Sequence, residues 1–168
     1  MRGGGVLHGE AKREEDALRF MEQVLAKNPE HAGALNYIGY TLAERGQDLD
    51  KAEQMIRAAL AQRPDDGYIV DSLGWVYYVR ARQLFDAGQT SAGRAALERS
   101  IKELERAAVL TGGDPVISEH LGDAYLLRSD RKRALRYYEE AASRDPRQGE
   151  QPHLLEKVER LRKELGSR

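Results

Sequence analysis

The chain has 168 residues, enough for one domain with a substantial core or for a linear array of smaller units. Its 27 basic and 28 acidic residues give a net charge of −1, so the basic footprint of a nucleic-acid-binding protein is absent. Cysteine is absent, which excludes disulfides and thiolate chemistry, and no apolar run approaches the ~18 residues of a membrane span.

The first ten residues are rich in glycine and lack the apolar core of a signal peptide, so we expect 1–10 to be a flexible end. A targeting segment, if the natural protein carries one, would lie upstream, which leaves a cytoplasmic and a cell-envelope location both open.

Residues 11–31 carry Ala17, Met21 and Val24 ahead of Pro29, the spacing of the second helix of a helical hairpin. The first helix of that hairpin is missing from the sequence, so one side of this half repeat has no covering partner. We therefore predict self-association, most simply as a two-fold homodimer. The predicted contact residues are Phe20, Met21, Val24 and Leu25.

Three segments, 32–66, 67–114 and 115–148, then carry an apolar residue followed by glycine inside a helical pattern. These pairs are Ile38-Gly39, Leu73-Gly74 and Leu121-Gly122. In the first and third segments small and large apolar residues and a proline follow at matching intervals, namely Ala52, Ile56, Ala59 and Pro64, and Ala134, Tyr138, Ala141 and Pro146. The glycines permit close helix approach, and the prolines stop each second helix.

This pattern resembles the tetratricopeptide repeat (TPR), whose W-x2-L-G-x2-Y…A-x3-F…P signature spans about 34 residues. The resemblance implies an all-α solenoid of about eight helices, stacked as hairpins into a right-handed superhelix. Its Ala-, Arg- and Glu-rich repeat style is similar to that of bacterial arrays. The second repeat, 67–114, is 14 residues longer than the family length. We interpret the surplus as an elongated hairpin with its tip near Gly88.

The last segment, 149–168, has an apolar stripe at helical spacing that includes Leu154, Val158 and Leu161, with charges elsewhere. A repeat array needs a terminal helix with a polar outer face. We therefore predict a capping helix.

No catalytic or cofactor motif stands out. The four histidines are scattered, and His120 with Asp123 lacks an evident third metal ligand. The sequence therefore predicts a protein that is not an enzyme, with no cofactor and no metal.

The only tryptophan, Trp75, lies within a stripe of residues three and four positions apart, and the same stripe recurs in the other first helices. The resemblance implies that these positions line a concave groove where extended or helical peptides lie. The predicted groove residues are Asn36, Tyr40, Tyr68, Asp71, Trp75, Tyr78, Arg82, Glu119 and Asp123. A second interpretation stays open, in which Trp75 and Tyr78 only pack between adjacent first helices.

The leading hypothesis is a protein–protein interaction module whose groove binds a partner segment. Carboxylates beside aromatic rings at Asp71, Glu119 and Asp123 favour a segment with Arg or Lys. The alternative is a structural element that acts through self-association or by packing within a larger, possibly cell-envelope, protein. Neither hypothesis involves nucleic acid or membrane insertion.

Overall fold

The computed structural model describes residues 3–144 and 152–166, with side chains from residue 9 onward. Within those ranges the chain forms eight α-helices and no strand, which confirms the all-α prediction. The helices are α1 (Gly3–Lys27), α2 (Ala32–Glu44), α3 (Leu49–Gln62), α4 (Gly67–Asp86), α5 (Thr90–Thr111), α6 (Pro115–Leu127), α7 (Arg131–Arg144) and α8 (Pro152–Gly166). Pro146 and the predicted boundary at 148–149 lie outside the described residues.

The chain divides into two compact units. The first, Met1–Pro64, contains α1, α2 and α3, and the second, Asp65–Arg168, contains α4 to α8.

In the first unit, α2 and α3 form a hairpin that depends on a small residue. A Cβ added at Gly39 would lie 2.7 Å from Cγ1 of Ile56, so only glycine permits this approach. Ala52 and Ala59 are fully buried on either side of Ile56. Helix α1 packs on α2, and the Arg45 guanidinium reaches back to two glutamates of α1. The alternation of large and small residues in the sequence therefore sets this helix spacing.

Helix α1 differs from the expectation for the N-terminus. It begins at Gly3, so the glycine-rich segment that the sequence predicted to be flexible is helical in the structure. Each glycine lowers helix propensity by about 1 kcal/mol relative to alanine, but it keeps its backbone hydrogen bonds, unlike proline. A helix that is stable further along can therefore continue through these residues.

In the second unit, α4 and α5 form the elongated hairpin. They have 20 and 22 residues, whereas α6 and α7 have 13 and 14, which confirms the extended second hairpin. Ser100, which replaces the small alanine of the family pattern, is buried and donates a 2.7 Å hydrogen bond to the carbonyl of Gly74. Gly112, which replaces the terminal proline, ends α5 in a left-handed conformation with φ of 70°.

The remaining hairpin and the last helix complete the core of this unit. Tyr138 of α7 is buried against Gly122 of α6, where an added Cβ would come within 2.4 Å of the ring. Helix α8 buries Leu154, Val158 and Leu161 in the same cluster. Its intervening positions are mostly exposed, so the predicted capping helix is confirmed.

Candidate partner-binding faces

Trp75 lies in a short aromatic stack that joins α4 to α6. Its ring stacks on Tyr78, with centroids 4.4 Å apart, and on His120 of α6, with centroids 4.1 Å apart. Trp75 is only partly buried, whereas Tyr78 and His120 are buried. The indole Nε1 is inaccessible and donates no hydrogen bond within the described residues. Trp75 therefore has both a packing contact and an exposed part.

The side chain of Asp71 pairs with His120, a member of this stack. Its Oδ1 lies 2.8 Å from Nδ1 of His120, and both side chains are only 9% exposed. Because a carboxylate only accepts hydrogen bonds, Nδ1 of the imidazole carries the shared proton. Asp71 was predicted to line the groove, but it is a buried contact between α4 and α6. Sequence reasoning missed the role of His120, which stands one position outside the stripe.

Glu119 and Asp123 of α6 are paired with Lys157 of α8. The Lys157 ammonium donates to Oε2 of Glu119 at 2.7 Å and to Oδ1 of Asp123 at 3.0 Å. His153 also lies 3.3 Å from Glu119, and the Tyr138 hydroxyl donates to Asp123. Both acids are therefore partly buried and already serve the attachment of the capping helix.

Burial and these charges shift several pKa values in this network. Burial opposes ionisation of Glu119, but the hydrogen bond and charge of Lys157, with the charge of His153, outweigh it and lower the pKa. For Lys157, burial opposes the charged form, yet Asp123 and Glu119 raise its pKa. The pKa of Tyr78 is raised by burial and by the charge of Asp123. The ion pair is thus stronger in the folded chain than in an unfolded one.

Three large apolar side chains are exposed on α4 and α6, the two helices that this stack joins. Tyr68 is 59% exposed, Val116 51% and Leu126 40%. Tyr68 is placed near the start of α6, because its hydroxyl lies 3.5 Å from Oδ2 of Asp114. Arg82 is exposed, with its guanidinium 6.0 Å from the Tyr78 ring centroid. We call Tyr68, Trp75, Val116 and Leu126 the apolar face of α4 and α6.

The other two predicted groove residues, Asn36 and Tyr40, belong to α2 in the first unit. Both are partly buried. The Tyr40 hydroxyl donates a 2.7 Å hydrogen bond to Glu44, and the buried Oδ1 of Asn36 accepts none within the described residues.

The predicted self-association surface lies on α1. Phe20 is 60% exposed, and Met21, Val24 and Leu25 are partly buried. These residues share a helix face, as the spacing indicated, and Phe20 projects most strongly into solvent.

Two further features that a helical protein can carry are a metal site and a membrane-spanning helix. The described residues contain no group of three or more His, Asp or Glu side chains placed to hold a metal ion. In the described part of the chain, no helix combines the length and apolar character needed to cross a membrane.

The repeated helical hairpins define a helical repeat protein, a class whose stacked helices create extended binding surfaces. A family model described as tetratricopeptide repeat matches residues 10–73. The chain is 44% identical over 89 residues to TPR repeat-containing protein PA4667 of Pseudomonas aeruginosa, a match that covers 53% of this chain and 14% of that protein. The chain therefore spans a small part of the curated relative that it matches.

The fold is also similar to that of TTC0263, described as a thermophilic TPR protein in Thermus thermophilus. The TM-score is 0.77 at 22% identity, and the match covers 96% of this chain and 79% of that one. These matches support a tetratricopeptide repeat assignment, with the family model covering residues 10–73 and the fold similarity extending over nearly the whole chain. Proteins of this family generally mediate protein–protein interaction as non-enzymatic scaffolds.

Proposed function

We propose that the apolar face of α4 and α6 binds an extended or helical segment of a partner protein. The observation that supports this is the exposure of Tyr68, Val116 and Leu126 on the two helices that the partly buried Trp75 joins. Clustered exposed apolar side chains are uncommon on soluble proteins and often mark interaction surfaces.

The aromatic stack favours binding because it is already ordered. Trp75 is fixed between Tyr78 and His120, so little side-chain freedom is lost when a partner covers its exposed part. Tryptophan and tyrosine are the residues most enriched at energetically dominant interface positions. We therefore place Trp75 at the centre of the contact and Tyr68 and Leu126 nearer its edges.

The charge preference of the partner stays a prediction. Asp71 pairs with His120, and Glu119 and Asp123 pair with Lys157, so an Arg or Lys on the partner would have to compete with these groups. We accordingly expect apolar contact to provide most of the affinity. The contribution of Asn36 and Tyr40 in the first unit also stays a prediction.

The test compares affinity capture from the source cell by the wild type and by a Tyr68→Ser, Val116→Ser variant. Both changed side chains are exposed, so the fold should survive and partner recovery should fall by about tenfold or more. Val109→Ser is the matched control, since Val109 is 83% exposed but belongs to α5 and not to α4 or α6. Binding of the captured partner should also shift the fluorescence of the single tryptophan.

Equal recovery by the wild type and the double variant would refute binding at this face. Recovery that falls to the same extent with Val109→Ser would show that general surface hydrophobicity, and not this face, captures the partner. Trp75→Ala is a further variant, which we expect to cost about 2 kcal/mol or more in binding. Its circular dichroism must be checked, because Trp75 also packs against the core.

A second candidate function is assembly through α1, which the exposed Phe20 favours. We propose that two copies cover this face with a two-fold axis between them, because equal surfaces then meet. Burial of one such side chain contributes roughly 1.5–3 kcal/mol. Analytical ultracentrifugation of the wild type and of Phe20→Glu, Leu25→Glu should show concentration-dependent association in the wild type alone. A wild type that stays monomeric well above micromolar concentration would exclude this candidate.

A further inference from the structure

The elongated hairpin creates a surface that a repeat of ordinary length lacks. Helix α4 has 20 residues and α6 has 13, so α4 projects beyond α6 by seven residues, or about 10 Å at 1.5 Å per residue. The overhang lies beside the turn between α6 and α7, because the α4–α5 tip and this turn are at the same end of their hairpins. We call the open-sided space between the projecting end of α4 and the α6–α7 turn the notch.

The notch has an apolar floor and a defined size. It has a volume of about 450 Å³ and is lined by residues of α4, α5, the end of α6 and the α6–α7 turn, namely Phe85, Thr90, Arg94, Leu97, Glu98, Leu127, Arg128 and Ser129. Leu97 is buried, while Phe85 and Leu127 are partly exposed. Binding cavities for small ligands or anchoring side chains span roughly 300–1,000 Å³. The notch therefore has room for one or two side chains.

The walls of the notch are fixed by specific contacts. Gly93 lets the Phe85 ring lie against α5, since an added Cβ would be 2.8 Å from the ring. Arg128 donates to Glu98 at 3.1 Å, which ties the turn to α5, and its guanidinium lies 4.8 Å from the ring centroid of Tyr125 on α6. The next residue in the turn, Ser129, has a left-handed backbone with φ of 65°. A serine in this conformation costs free energy that its surroundings must offset.

The notch contains two guanidinium groups that differ in their pairing. Arg128 forms an ion pair with Glu98, but Arg94 is exposed and makes no ion pair within the described residues. The notch therefore combines an apolar floor with a guanidinium open to solvent. A guanidinium presents several donors in a planar fork, which suits a carboxylate.

We propose that this notch is a second binding site, separate from the apolar face of α4 and α6, for a partner segment with a large apolar side chain next to an acidic residue. The apolar side chain enters between Phe85 and Leu127, and the carboxylate pairs with Arg94. The site depends on the insertion in the second hairpin and not on the general repeat pattern. It is also independent of the function proposed above, because it shares no residue with that face.

The test is selection of random octapeptides displayed on phage against the full chain, with counter-selection against an Arg94→Glu variant. The retained peptides should carry Asp or Glu within two positions of Phe, Leu or another large apolar residue. For synthetic copies, Arg94→Glu should weaken binding by about tenfold in fluorescence polarisation. Thr90→Trp, which fills the mouth of the notch, should weaken the same peptides.

Two matched variants make the outcome specific. Lys102→Glu reverses an exposed charge two turns further along α5 and should leave binding unchanged. The Tyr68→Ser, Val116→Ser variant should also bind these peptides normally, which separates the notch from the apolar face. Circular dichroism must show that each variant keeps its helix content.

The proposal is overturned if no peptide survives counter-selection, or if the survivors lack an acidic residue. Equal loss of binding with Lys102→Glu would also overturn it, because net charge alone would then explain the result. If Arg94→Glu instead changes only sedimentation of the chain or its binding to anionic vesicles, the occupant is a second copy or a lipid surface, and the proposed peptide site is wrong.

Discussion

Replacement of Lys157 by methionine tests how the capping helix is attached and whether the acids of α6 are available to a partner. The ammonium donates to Glu119 at 2.7 Å and to Asp123 at 3.0 Å. Methionine keeps an unbranched apolar stem of similar length but removes the charge. The two carboxylates would then be left close together with little internal compensation.

The expected magnitude follows from the burial of the three side chains. Lys157 is 34% exposed, and both carboxylates are 17% exposed. Exposed pairs contribute about 0.2–1 kcal/mol, and breaking a fully buried pair costs about 3–5 kcal/mol. Because solvent partly screens the ammonium, we expect the free energy of unfolding to fall by about 1–2 kcal/mol. At a urea m-value of about 2 kcal/mol/M, the midpoint moves down by about 0.5–1 M.

Urea unfolding monitored by tryptophan fluorescence reports on the second compact unit, because Trp75 lies in α4 of that unit. Arg160→Met is the control on the same helix, because Arg160 is exposed, and its midpoint should stay close to that of the wild type. Adding Glu119→Gln and Asp123→Asn to Lys157→Met should restore much of the lost stability. A basic peptide should bind the apolar face of Lys157→Met more tightly than that of the wild type.

An equal midpoint for Lys157→Met and Arg160→Met would refute the reasoning for stability. The neutralised triple variant gives a separate check. If it is as unstable as Lys157→Met, packing of the lysine stem and not its charge explains the loss.

Further predictions concern pH, the unsatisfied indole and the closest helix contact. Because the pKa of Glu119 is lowered in the folded chain, its ionised carboxylate stabilises the fold at pH values above the ordinary pKa of 4.5, and this stabilisation is lost as the pH falls through the folded-state pKa. The difference in melting temperature between the wild type and Lys157→Met should therefore become smaller in acid. Trp75→Phe keeps a stacking ring but removes a buried donor that has no acceptor among the described residues. Urea denaturation followed by circular dichroism should therefore show a change in stability within about 1 kcal/mol. Gly122→Ala places a Cβ 2.4 Å from the buried Tyr138 ring and should destabilise the chain by about 1–3 kcal/mol in the same assay, whereas Gly9→Ala, with no atom within 4 Å, should not.

The fold could be predicted because its signals are local. Gly39, Gly74 and Gly122 each mark a helix contact too close for a Cβ, and each glycine is visible in the sequence without any partner. The length of the second hairpin followed from the same reasoning, since its apolar spacing continues on both sides of Gly88. Ser100 departs from the family pattern, and its hydrogen bond to the Gly74 carbonyl can be predicted only when it is known which helices pair.

The candidate site was less predictable because it depends on contacts between distant segments. Helical spacing placed Asp71, Glu119 and Asp123 on the outer stripe of their helices but gave no information on their partners. Those partners are His120, 49 residues from Asp71, and Lys157, 34 residues from Asp123. A stripe of acids read from one helix at a time therefore overstated the negative charge of the face.

The insertion in the second hairpin can add a surface without disturbing the existing one, for a geometric reason. Seven extra residues in α4 are close to two turns of helix, so the added segment continues the apolar face of the original helix. Ala81 is buried and Leu84 partly buried, in line with Leu73 and Tyr77 on the same side. The close contacts of Gly74 lie well before the insertion and are unaffected by it. Variation at the tip can therefore change what the notch binds while the repeat core stays the same.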